Sequence, residues 1–126
     1  MQQNSAHHSW VEATKSSLQS EWNKLDFIQK TIAQIDKDFS GFTNAHIGEN
    51  IDLSRDVSAE IIQHIKENII AMERENPAYI PQLIYVIDLP EEIFHSIYQN
   101  SSSIHHDLAQ CILLREAHKV WMRGRY

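Results

Sequence analysis

The residues Asp36-Lys37-Asp38-Phe39-Ser40-Gly41 begin as a calcium-binding loop does. Oxygen donors stand at the first, third and fifth positions, and glycine at the sixth permits the sharp turn that brings them round one hard cation. The pattern then departs. The twelfth position is Ile47, where a bidentate carboxylate must close the cage, and the eighth is Thr43, where an aliphatic residue is expected. Glu49 falls two residues late and serves only in a lengthened loop. Asp36, Asp38, Ser40 and Glu49 are thus one candidate metal set. The simpler reading of the same letters is a helix end closed by small polar residues and Gly41. Affinity follows ligand count, so calcium is expected to bind no more tightly than millimolar.

Histidine is over-represented, with eight in 126 residues. Glu92 and His95 have the spacing that di-metal helical bundles use, and Glu60 and His64 are one turn apart on another segment. A carboxylate and an imidazole one turn apart face the same way and can share a transition metal. A di-metal centre needs two Glu-x-x-His motifs and two further glutamates, and only one such motif is present. Solvated surface groups are the simpler reading of both pairs. His105-His106-Asp107 stands at an expected helix start, and His7-His8 lies in an expected frayed arm. Protonating all eight histidines would move the formal charge from −6 to +2, so electrostatic character changes between about pH 7 and pH 5.

Nucleophiles are poorly supported. Cys111 lies among Gln110, Ile112, Leu113 and Leu114 and reads as a buried structural thiol. Ser101-Ser102-Ser103 reads as a turn and cap. Three glycines cannot write GxxxxGK[ST] or GxGxxG, and GxSxG, HExxH and CxxC are missing. No cofactor is expected, although calcium or a transition metal remains an alternative through the sets above.

The best contact surface in the sequence is its basic end. Residues 115–126 hold Arg115, Lys119, Arg123 and Arg125 against Glu116, a local +3 that leaves the other residues at −9. Trp and Arg anchor interfaces, so Trp121, Arg123 and Arg125 are candidate interface residues, with Trp22 on the first helix. A net charge of −6 disfavours nucleic acid and anionic membranes. The run Asn76 to Ile87 is far too short for a membrane span. One cysteine and a start without a basic, apolar leader predict a cytoplasmic protein.

These residues need elements to position them. Few glycines and prolines leave too few turns for a β-sandwich or barrel. Leu18, Trp22, Leu25, Ile28, Ile32, Ile35 and Phe39 recur at steps of three and four, which predicts one long helix over 9–39. A loop follows over 40–53, pinned by Phe42, Ile47 and Ile51. Ser54 is the expected N-cap of a helix ending at Asn76-Pro77, with Val57, Ile61, Ile65, Ile69 and Met72 inward. Leu83 to Ile87 suits a buried strand or a short helix; Pro81 and the lack of a partner strand favour the helix. Asp88 is the expected cap of the next helix, and Ser103 that of a central last one.

The expected fold is all-α, four or five helices, with a long N-terminal helix beside a compact bundle over 53–124. The first functional expectation is a non-catalytic protein–protein interaction or scaffold module, homodimeric through 9–39. The alternatives are a metal-binding helical protein and an enzyme assembled from scattered His and Glu.

Overall fold

The computed structural model describes residues 5–49, 51–54 and 56–124. The chain is all-α, and the described residues include no strand. Among the described residues six α-helices run in order: α1 (Ala6–Leu18), α2 (Leu25–Phe39), α3 (Val57–Glu75), α4 (Tyr79–Ile87), α5 (Glu91–Asn100) and α6 (Ile104–Arg123). A 3₁₀ turn, Ile47–Glu49, interrupts the loop between α2 and α3.

The long first helix is two helices. α1 ends at Leu18, and a run of turns over 19–23 leads to Lys24, whose extended backbone starts α2. Ser16, Ser17, Ser20 and Asn23 are poor helix formers, because short polar side chains compete for the backbone. Packing rewards the break. It changes the phase of the stripe, so Leu25 is left 54% exposed while Phe27, which a continuous helix would turn outward, is buried. Phe27 joins Leu18, Ala117 and Val120 in a small apolar cluster at this end, covered by Trp22, Leu114 and Trp121.

α6 is the axis of the fold. It packs on all five other helices, and α3, α2 and α1 make its largest contacts. Its sequence explains this: Leu108, Ala109, Cys111, Ile112 and Leu113 bury nearly every direction of two successive turns. The main core gathers Ile35, Ile61, Ile65, Ile69, Leu83, Ile87, Ile97 and Ile112 around it, all fully buried.

Segment 81–87 is helical as the proline suggested, and α4 begins two residues earlier, at Tyr79. Two caps differ from expectation. Asp88 closes α4 in the left-handed region, at φ 65° and ψ 43°, instead of opening α5, whose N-cap is Pro90. Asp56, not Ser54, caps α3, its side chain accepting from the Ala59 N–H. Ser54 instead folds onto Asp52, where an aspartate turn is the closer partner. No helix among the described residues is long and apolar enough to cross a membrane.

Candidate functional site

The calcium-like set is dispersed by the helix that carries it. Asp36 and Asp38 both lie within α2, two residues apart, and so point about 200° away from each other. Asp36 turns to the following loop, where its two oxygens accept the N–H groups of Ile47 at 2.7 Å and Gly48 at 3.1 Å. It thereby pins the 3₁₀ turn and buries Ile47. Asp38 turns to α6. Ser40 donates to the Lys37 carbonyl at 2.8 Å, and Glu49 is exposed on the 3₁₀ turn.

The two Glu/His pairs also stay separate. On α3 His64 faces Glu67 at 3.9 Å, and Glu60 is half-buried one turn away. On α5 Glu92 and His95 are both exposed. Of the interface candidates, Trp22 is half-buried within the chain. Its indole N–H donates to Ser58 Oγ on α3, and its ring meets Phe27 edge-on at 5.8 Å. Trp121 stacks on His118 at 5.5 Å, and Arg123 donates to the Gln34 side chain. Arg125 lies outside the described residues.

Three sites emerge instead. The first is a buried acid pair between α2 and α6. Glu116 is fully buried and Asp38 nearly so, and Lys119 lies 3.1 Å from the first and 2.8 Å from the second. Gln34 also donates to Asp38, at 3.0 Å. As two ionised carboxylates these groups are acceptors only. A proton on Glu116 makes it a donor to Asp38. Burial, then the Asp38 carboxylate, pushes Glu116 up to about 8, with Lys119 opposing. Burial also pushes Asp38 upward, but the bonds from Glu116, Lys119 and Gln34 outweigh it and hold its carboxyl below the usual range. The two opposite shifts place the pair's more tightly held proton on Glu116.

The second is an open groove of about 820 Å³ between α2 and the end of α6. Phe27, Val120 and Trp121 line its floor, and Lys24, Lys30, Lys37 and Arg123 stand on its walls. Against Glu21 and Asp26 on the same walls, these four cations leave a local +2.

The third joins the two chain segments that carry histidine pairs. His7 sits on the buried stripe of α1 with Val11, Thr14 and Leu18, and is 1% exposed. Its Nδ1 lies 2.8 Å from Ser96 Oγ of α5 and 3.2 Å from Ser5 Oγ. Its Nε2 lies 3.4 Å from Asp107 Oδ2 of α6 and has no hydrogen bond among the described residues. Asp107 accepts from Ser101 Oγ at 2.7 Å, and the His8 ring stands 4.4 Å from that of His7. Burial and the neighbouring His8 lower the His7 pKa, against the opposing pull of Asp107. Ser96, His7 and Asp107 follow the order of a hydrolytic relay, but Ser96 is itself buried and its hydroxyl already accepts the His7 N–H. A substrate carbonyl cannot reach it without opening the helices.

The sequence held a signal for both buried groups. His7, Val11, Thr14 and Leu18 are spaced four, three and four, and Ile112, Glu116 and Val120 are spaced by fours. Each stripe includes one ionisable residue on an apolar face. No family model, no curated protein and no solved structure matches this chain.

Proposed function

We propose that this protein is a non-catalytic interaction module that self-associates head to tail through the groove between α2 and α6. The observation that supports this is the groove itself: an apolar floor with cationic walls, on a chain of net charge −6. The 9–39 stripe is not free to pair, because Leu18, Ile28, Ile32, Ile35 and Phe39 are spent within the chain. A complementary surface lies on the same molecule, where α4 meets α5. There Tyr85 is 85% exposed beside exposed Val86, with Asp88, Glu91 and Glu92 also exposed around them. An exposed aromatic followed within seven residues by three exposed carboxylates fits a basic groove lined by a tryptophan. Because groove and corner are different patches, the contact is heterologous and builds rings or open chains rather than a two-fold dimer.

Light scattering tests this. The parent should exceed its 14.7 kDa monomer mass in a concentration-dependent way and shrink towards it in about 1 M salt, where the screening length falls to about 3 Å. Lys37→Glu with Arg123→Glu should give monomers, and so should Tyr85→Ser. Mixing those two variants restores one intact groove and one intact corner, so assembly should stop at two chains. A monomeric parent at about 100 μM and low salt, or a mixture that stays monomeric, overturns the proposal.

A further inference from the structure

We infer that His7, His8 and Asp107 form a binding site for one divalent transition-metal ion, with zinc as the natural probe. Their donor atoms lie within 4.8 Å of one another, the only such group of three or more His, Cys, Asp or Glu among the described residues. The orphaned Nε2 of His7 carries the argument. A buried imidazole nitrogen with no hydrogen bond among the described residues is unfavourable, and this one lies 3.4 Å from a carboxylate oxygen. That separation is long for a hydrogen bond and suits a shared metal. Two ligand atoms each about 2.0–2.1 Å from a tetrahedral zinc stand about 3.3–3.4 Å apart.

The surrounding hydroxyls support the same reading. A ligating histidine donates its second N–H to an oriented acceptor, which fixes the tautomer and ring. Ser96 Oγ stands 2.8 Å from His7 Nδ1, so Nδ1–H can donate there and leave Nε2, 3.4 Å from Asp107 Oδ2, with a lone pair for a cation. Ser101 Oγ holds the Asp107 carboxylate in the same way, at 2.7 Å. His8 is exposed, so an ion reaches the site from solvent and keeps a water in its fourth position. Imidazole and carboxylate together select zinc, cobalt, nickel or copper over calcium or magnesium. Three protein ligands, and the positive N-terminal ends of α1 and α6 close by, set the affinity at micromolar rather than nanomolar.

The inference is independent of the self-association reading, and zinc calorimetry on the full, untagged chain after chelator treatment tests it. One zinc should bind per chain at about micromolar Kd. His8→Ala removes an exposed ligand without opening the core and should weaken binding at least about tenfold; Asp107→Asn should do the same. Ser96→Ala removes the hydroxyl that meets both the His7 ring and its backbone N–H, and should also weaken binding by about tenfold or more. His64→Ala and His95→Ala should leave binding unchanged, which separates this site from the other histidines. Zinc binding weaker than about 1 mM, or micromolar binding indifferent to His8→Ala and Asp107→Asn, overturns the inference.

Discussion

Asp38 and Glu116 meet across the α2–α6 contact and share one lysine ammonium, which lies 2.8 Å from the Asp38 carboxylate and 3.1 Å from that of Glu116. The pair sits behind Gln34, which in turn accepts from Arg123 at the groove wall. Charge at the groove is thus linked by hydrogen bonds to a buried proton.

That proton makes stability depend on pH. In the unfolded chain Glu116 ionises near 4.5, whereas in the folded chain it holds its proton up to about 8. Between these values the native state binds more protons than the unfolded state, so stability falls as pH rises from about 4.5 to about 8. Asp38 acts oppositely and lower, since its depressed carboxyl stabilises above its unfolded value and is lost only as pH falls through the folded one. Glu116→Gln keeps a donor for Asp38 and removes the titration. Thermal unfolding between pH 5 and 9 should show a flattened profile, and the variant should be more stable than the parent at pH 9 by about 1–3 kcal/mol. A parent whose Tm is constant across that range would contradict this account.

Asp36 is a loop anchor by its contacts. Asp36→Ala strips two charge-assisted bonds from the N–H groups of Ile47 and Gly48 and should cost about 1.5–3 kcal/mol in chemical denaturation. Calcium should not compensate. Both Asp36 oxygens already accept backbone hydrogens, and Asp38 faces Lys119, so calorimetry should find no binding tighter than millimolar. A micromolar calcium constant that Asp36→Ala abolishes would be the opposite result.

Asp88 is the one non-glycine residue with positive φ among the described residues. Its ion pair with Arg115 is 83% exposed on the aspartate side and contributes little. The Arg115 bond to the Asp88 carbonyl, at 2.9 Å, needs no side chain. Asp88→Gly should therefore be neutral or stabilising by up to about 1 kcal/mol, since glycine takes the left-handed region without steric cost. Asp88→Val should destabilise by about 1–2 kcal/mol. Urea midpoints of the three proteins check the order, and a valine variant as stable as the glycine one would refute it.

The sequence by itself determined the all-α class, the C-terminal end of α3, the central role of α6 and the pinning of the 40–53 loop. Those features rest on local periodicity, on Pro77 and Gly124 as helix stops, and on apolar residues too regular to be surface. It did not determine the break after Leu18. A run of three- and four-residue steps is equally compatible with one helix or two, and only the burial of Phe27 against Ala117 and Val120 chooses between them. The sites were decided the same way. Asp36 and Asp38 read as neighbours in a loop, but the continued helix sends one to the Ile47 turn and the other to Lys119. His7 and Asp107 are a hundred residues apart and meet only because α1 and α5 close over α6. Periodicity fixes which face of a helix a residue occupies. Which other face it meets is set by packing across the whole chain, and that is where this protein's buried acid pair and its candidate metal site arise.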